Sequence, residues 1–339
     1  MSDRKSVLVV GVGSIGERHL RCFQATGRAG MSICELNPQL RETIGQRYHV
    51  EHAFAGFEEA LRARPHAAVI CTPAHWHIPM ARAAVEAGVH VLIEKPLSTK
   101  LDGIDELRRE SAARGLTVAV AYVLRNNPAL AAMREAIASG RFGAPKQVVA
   151  VLGQHLPKHR PAYRQIYFAD HATGGGAVQD FLTHAINAVE WLVGPITRLT
   201  ADLDHQVLDG VTVEDTVHVL TRHGQVMGCF TDNLYQPALE DTLTVVCERG
   251  MARFAVSESR WRWMTEADGA WQDGGVKPVD RDATFVAQAH AFLDAIDGLG
   301  RPVCTLEEAC QSLRVNLAIL ASSKERAWQM IEEPQTVHA

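Results

Sequence analysis

Three short constellations in the 339-residue chain carry residue types and spacings that can do chemistry. The first is Gly11-Val12-Gly13-Ser14-Ile15-Gly16, a GxGxxG run between the apolar residues 7–10 and a helical pattern over residues 14–26. Glycines so placed permit a tight turn and close approach of backbone to a pyrophosphate. The helix that follows offers its free N–H groups and positive dipole end. Glu35 closes the next apolar strand 19 residues after Gly16, where a carboxylate can accept from ribose hydroxyls. It also repels a 2′-phosphate, and no Arg follows it directly, so the expected cofactor is NAD, with NADP disfavoured.

The second constellation is Glu94-Lys95-Pro96, which ends the apolar segment VHVLI. Ligands in open α/β sheets sit beyond the carboxyl ends of strands, which puts Lys95 at a crevice mouth. Pro96 restricts Lys95 to extended backbone. A Lys there can hold a reacting oxygen and stabilise developing negative charge. The plain alternative is a surface Lys at a strand end.

The third is GGGAVQDFLTHAINAVEWLVG. Placed on one helix over residues 177–193, Phe181, Leu182, Ala185, Ile186, Val189, Leu192 and Val193 fill an apolar arc. Asp180, His184, Asn187 and Trp191 fall in a wedge of roughly 60° opposite it. Asp and His at i, i+4 can form an oriented acid–base pair, and a histidine pKa of about 6.5 suits base work near neutrality. The alternative is a solvated polar face, against which Trp191 argues. No third ligand stands at a convincing position, so no metal is expected.

These residues need elements to hold them. Strand patterns at residues 7–10, 31–35, 67–71, 89–96 and 117–122 alternate with helical patterns at 14–26, 40–48, 78–87 and 101–114. That alternation predicts βαβ units, a parallel sheet and an α/β doubly wound Rossmann domain over residues 1–123. After Tyr122 a helix at 128–139 leads to alternating segments such as TVHVLTRHG, QVMGCFTDN and DTLTVVCERG. With two helices near 284–297 and 306–322, they predict a C-terminal α+β domain over residues 124–325, built on a large, mostly antiparallel open sheet. Residues 326–339 read as a loose tail. At about 150 residues per domain, two domains is also what the length suggests.

Composition narrows the function. Hydrophobic residues make up 47% and the net charge is −5, which argues against disorder and against general nucleic-acid binding. No apolar run reaches the ~18 residues of a membrane helix. The opening Asp3-Arg4-Lys5 and VLVVGVG superficially resemble a signal peptide. The run meets Glu17 and Arg18 with no small-residue cleavage pattern, so it reads as a first strand. Seven cysteines, an odd number with no CxxC pair, suit reduced thiols and a cytoplasmic protein.

GVGSIG, CTPAHWH at residues 71–77, EKP, and GGG followed by Asp180 and His184 occur here in one order. Together they resemble the glucose–fructose oxidoreductase/inositol dehydrogenase family (Gfo/Idh/MocA) over nearly the whole chain. Ala74 stands where that family commonly has Asn. The resemblance implies nicotinamide-linked oxidation or reduction of a carbohydrate or cyclitol, and a homodimer or homotetramer joined through the second domain's sheet. It implies Lys95, Asp180 and His184 as the catalytic set. Cofactor contacts would come from Gly11, Gly13, Ser14, Ile15, Gly16, Glu35, Cys71, Thr72, Pro73, His77, Glu94 and Lys95. Tyr122, Arg125, Tyr163 and Arg164 are further substrate-contact candidates, with Asp180 and His184. Two other readings remain at this point: an NAD-containing glycoside hydrolase, and a non-catalytic sugar or NAD sensor.

Overall fold

The computed structural model describes residues 4–332. The first elements are β1 (Lys5–Val10), α1 (Ser14–Ala25), β2 (Ala29–Cys34), α2 (Pro38–Tyr48), β3 (His52–Phe54) and α3 (Phe57–Arg62). They are followed by β4 (Ala67–Ile70), α4 (His77–Glu86), β5 (His90–Ile93), α5 (Ile104–Ala113) and β6 (Val118–Val120). Next come α6 (Pro128–Ala138), β7 (Pro145–His155), the single turn α7 (Leu156–His159), α8 (Thr183–Val193), β8 (Arg198–Asp204) and β9 (Thr216–His223). The chain closes with β10 (Val226–Asn233), β11 (Tyr235–Cys247), β12 (Gly250–Ala255), β13 (Arg260–Met264), β14 (Gln272–Asp273), α9 (Arg281–Ile296), α10 (Leu306–Glu325) and β15 (Gln329–Met330).

The chain divides into two units, one of residues 1–126 and 280–309, the other of residues 127–279 and 310–339. In the first unit six strands lie in the order β3-β2-β1-β4-β5-β6, all parallel. This is the doubly wound arrangement that the strand–helix alternation predicts. Val7, Val9, Ala67, Val69 and Leu92 are buried in one core with Leu20 and Phe23 of α1, because a parallel sheet is covered on both faces. β3 and α3 are additional elements, too short to leave a periodic signal in the sequence.

The division differs from the contiguous 1–123 and 124–325 split. Residues 284–297 belong to α9, which packs on α1 in the first unit. Phe23 and Phe292 meet edge to face, Arg21 grips Asp282 through Nε and Nη2, and Arg28 reaches Asp294 and Asp297. Contacts across more than 250 residues of chain leave no local trace in sequence periodicity.

The second unit is a nine-stranded sheet in the order β14-β13-β12-β11-β7-β10-β9-β8-β15, antiparallel except for the β7–β10 pair. α6 lies on β12 and β13, and α8 on β7. α10 fastens to α8 through buried side chains: Asn187 to Ser312, Asn316 to Thr183, and Glu190 to Gln311 and Ser312. Trp261 and Trp263 pair with Phe254 and Ala252 on this covered face, and Trp261 is buried. The other face carries Leu220 and Met227, 53% and 52% exposed.

Two local expectations change. Residues 177–193 do not form one uniform helix: Val178–Leu182 is a π turn that runs into α8. And the segment from residue 326 begins as structure, since Gln329–Met330 pairs with Arg198 and Leu199; the remainder of that tail, from residue 333, lies outside the described residues. No helix among the described residues is long and apolar enough to cross a membrane.

Candidate active site

In the first unit the glycine run bridges β1 and α1. Gly11 adopts a φ of +80°, and a Cβ there would press within 3.1 Å of the Cys71 carbonyl oxygen. A Cβ on Gly16 would fall 1.8 Å from the Gly11 carbonyl oxygen, so α1 can start against its own loop only with glycine at that position. A Cβ on Gly13 would meet nothing within 4 Å. Gly13 is also the N-cap of α1 and provides no side chain to cap the helix, leaving the first N–H groups at Ser14, Ile15 and Gly16 for another acceptor. Glu35 follows β2 directly, and its Oε2 accepts the Val12 N–H at 3.0 Å while Oε1 accepts the Asn37 N–H at 2.9 Å. Open space at Gly13, an uncapped helix start and a carboxylate beside the loop fit a dinucleotide.

The ends of β4 and β5 border this loop. His77 opens α4, is buried, and its ring spans the carbonyls of Thr72 at 2.7 Å and Pro96 at 2.9 Å. Burial lowers its pKa despite these contacts. It joins the Thr72-Pro73 segment to the Glu94-Lys95-Pro96 segment, where Lys95–Pro96 is cis. Glu94 is buried, with Oε1 2.7 Å from His19 Nε2 of α1 and Oε2 accepting the Lys95 N–H at 2.9 Å. Burial opposes the charge on Glu94, but the His19 hydrogen bond and the Lys95 charge prevail and hold its pKa below the usual value. Burial pushes the Cys71 thiol well up.

Tyr122 and Arg125 are both buried. Arg125 donates to Val303 O and to Glu308 Oε1 at 2.5 Å, so its guanidinium fastens the chain after β6 to the start of α10.

In the second unit Asp180 lies in the π turn and is 1% exposed. Its Oδ2 accepts from Arg160 Nη1 at 2.6 Å and its Oδ1 from the Tyr167 hydroxyl at 3.0 Å. Burial works against the Arg160 charge, yet the Asp180 carboxylate beside it raises the arginine's pKa. The extra residue of the π turn breaks the single stripe expected of Asp180, His184, Asn187 and Trp191. Asp180 and Asn187 are buried, and Trp191 is covered by Arg134, whose guanidinium lies 4.7 Å from the ring centre. The wedge is therefore not a solvated face.

Of the residues before the glycine triplet, Arg160, Tyr163 and Arg164 bond within the protein, while Lys158 and His159 are exposed. The Tyr163 hydroxyl donates to Asp209 O, and Arg164 donates to the same carbonyl and to Asp209 Oδ2. These two substrate-contact candidates thus hold the loop at residue 209. His171 bonds Glu214, which raises the histidine pKa. Glu214 Oε1 also takes the Val178 N–H at 2.9 Å, and a Cβ on Gly176, whose φ is +87°, would strike that carboxylate. The third glycine of the triplet is a docking point for Glu214. His19, Arg160, Tyr167 and Glu214 are partners that spacing alone did not single out for these roles. Among the described residues no cluster of three or more metal-ligating side chains occurs.

Comparisons with known proteins agree with this geometry. Residues 5–122 match the family model described as "Oxidoreductase family, NAD-binding Rossmann fold", and residues 130–253 match the GFO/IDH/MocA C-terminal domain. The chain is 28% identical over 263 residues to a 1,5-anhydro-D-fructose reductase of Ensifer adhaerens, covering 76% of this chain and 77% of that one. It is 27% identical over 327 residues to a myo-inositol dehydrogenase of Streptomyces leeuwenhoekii, covering 92% and 95%. A solved levoglucosan dehydrogenase in complex with NADH superposes with a TM-score of 0.89 at 21% identity, covering 98% of this chain and all of the other, a likeness of fold.

Proposed function

This chain belongs to the Gfo/Idh/MocA oxidoreductase family, and we propose that it is an NAD-dependent dehydrogenase acting on a secondary alcohol of an uncharged sugar or cyclitol. One observation carries the reading: a dinucleotide cradle, open at Gly13 and flanked by Glu35, stands in the same chain as a buried Asp180 four residues before His184.

Bound nicotinamide would supply the hydride acceptor, and the protein's own groups would manage the proton and the charge. In this reading the α1 N-terminus and the glycine loop hold the pyrophosphate, and Glu35 accepts from the ribose. Lys95, its backbone fixed by Glu94, holds the substrate oxygen and stabilises negative charge on it. His184 takes the hydroxyl proton, and Asp180 stabilises the cation that forms. Arg160 and Tyr167 orient Asp180.

An uncharged substrate is favoured because the two arginines before the glycine triplet are held by carboxylates, Arg160 by Asp180 and Arg164 by Asp209. We also propose a cytoplasmic setting, in keeping with Cys22, Cys34 and Cys247 as buried thiols. The uncovered sheet face with Leu220 and Met227 is proposed to join copies into a dimer or tetramer. Light scattering at 37.1 kDa would remove that assembly.

The test of the activity is NADH absorbance across neutral sugars, inositols, uronates and nucleotide sugars, with calorimetric titration of both cofactors. NADH formation on neutral polyols and at least about tenfold tighter NAD than NADP binding, ~1.4 kcal/mol, are expected. Equal cofactor affinities, or turnover confined to anionic sugars, contradict the reading.

A further inference from the structure

Asp232 stands near the end of β10 with Val226, Gly228 and Phe230 on the covered face of the sheet, and it is 1% exposed. Its Oδ2 is buried and has no hydrogen-bonding partner among the described residues, while the carboxylate accepts the Asn233 N–H. The ionisable groups that act on it are Glu214, just before β9, and Asp180 of the π turn. Glu214 is joined to His171 and Asp180 to Arg160. Asp180 and Glu214 thus each have a cationic side chain beside them, and Asp232 lies near both carboxylates. Asp215, adjacent to Glu214, is a separate case, saturated by the N–H groups of Gln206, Val207 and Leu208 and by the Thr216 hydroxyl.

A carboxylate with one oxygen left unpaired, buried beside other carboxylates, is strongly unfavourable, and a proton removes that cost. With a proton on Asp232, no third negative charge stands beside Asp180 and Glu214. We propose that Asp232 is a positioning residue that carries a proton below neutral pH, loses it above, and so sets the charge of the cluster in which Asp180 works. This rests on the reading of Asp180 as part of the reactive site. Burial first, then Glu214 and Asp180, push the Asp232 carboxyl up to about 7. Above that range its ionisation adds a third negative charge next to Asp180, which strengthens proton binding by nearby bases and delays their release of a proton.

The experiment has two arms, both on the full chain. Infrared titration of the wild-type protein, with Asp232→Asn as the subtraction reference, looks for the carbonyl band of a protonated carboxyl. The band is expected at pH ~6 and lost as pH passes about 7. The second arm compares kcat/KM against pH for the wild type and Asp232→Asn. The inflection near neutrality is expected at lower pH in the Asn variant, which is isosteric and permanently neutral, because the wild type's ionised Asp232 delays proton release by nearby bases. A purely structural Asp232 would not move that profile. An ionised Asp232 at pH ~6 overturns the proposed proton, and superimposable pH profiles overturn the positioning role. The infrared arm needs no substrate and is read in the wild type. A failed activity assignment is therefore distinguishable from a failed Asp232 assignment.

Discussion

His19 Nε2 lies 2.7 Å from Glu94 Oε1, and the second oxygen of the same carboxylate accepts the Lys95 N–H at 2.9 Å. A histidine on the buried face of α1 thereby fixes the strand end that presents Lys95. Phe285 closes the other side of the ring, edge on at 5.2 Å. Removing one partner of a buried polar pair typically costs about 3–5 kcal/mol. His19→Ala is expected to lose stability on that scale and to lower kcat, because Lys95 loses its anchor. His19→Gln, which can still donate to Glu94, should recover part of both. Urea unfolding and steady-state kinetics check this; a His19→Ala protein with wild-type kcat would detach His19 from Lys95.

The glycine loop separates folding from binding. Gly16→Ala should unfold the loop, since its Cβ would overlap the Gly11 carbonyl oxygen. Gly13→Ala meets no neighbour and should keep its stability within about 0.5 kcal/mol, the range of an unobstructed surface change. It should nevertheless weaken NAD binding at least about tenfold, ~1.4 kcal/mol, by obstructing the approach of the pyrophosphate. Thermal melts beside calorimetric titration read both effects. Unchanged NAD affinity in Gly13→Ala would move the pyrophosphate elsewhere.

Two carboxyl groups of the second unit give opposite pH dependences of stability. Burial opposes the Asp215 charge, but three backbone N–H groups and Thr216 prevail and lower its pKa. Its contribution is present above the unfolded value of about 3.9 and is lost as pH falls through the lower folded value. Asp215→Ala leaves buried donors unsatisfied and should cost at least about 3 kcal/mol at neutral pH, with the gap to wild type narrowing in acid. Asp232, raised to about 7, binds its proton more tightly when folded. Its stability relative to Asp232→Asn should therefore fall as pH rises from about 4 to 7, by at most about 4 kcal/mol. Denaturant titrations at a series of pH values check both signs; parallel curves for wild type and Asp232→Asn would contradict the second.

Much of this was legible because it is local. The strand–GxGxxG–helix order around Gly11 and Gly16, and Glu35 at the end of β2, are set by neighbours in sequence. Lys95 was visible as the charged end of an apolar strand. What escaped depends on distance or on a break in periodicity. His19 gives no sign that its partner is Glu94, 75 residues on. Arg160 reads as one basic residue among several until the fold sets it against Asp180. A uniform 100° wheel can neither foresee the π turn nor tell a solvated wedge from a buried one, and Asp180 and Asn187 are both buried. α9 was grouped with the second domain because Phe23–Phe292 and Arg28–Asp294 are invisible to local pattern.

The central claim is that Lys95, Asp180 and His184 serve the chemical step, and rapid-mixing measurement of hydride transfer to NAD tests it most directly. It isolates that step from product release. On a polyol found by the absorbance screen, Lys95→Met and His184→Ala should each slow the step by at least about 10²-fold, the usual scale of acid–base catalysis. NAD affinity in His184→Ala should change little. A His184→Ala protein that transfers hydride at the wild-type rate between pH ~6 and ~9, or a wild type that releases free sugar with no net NADH, would contradict the account.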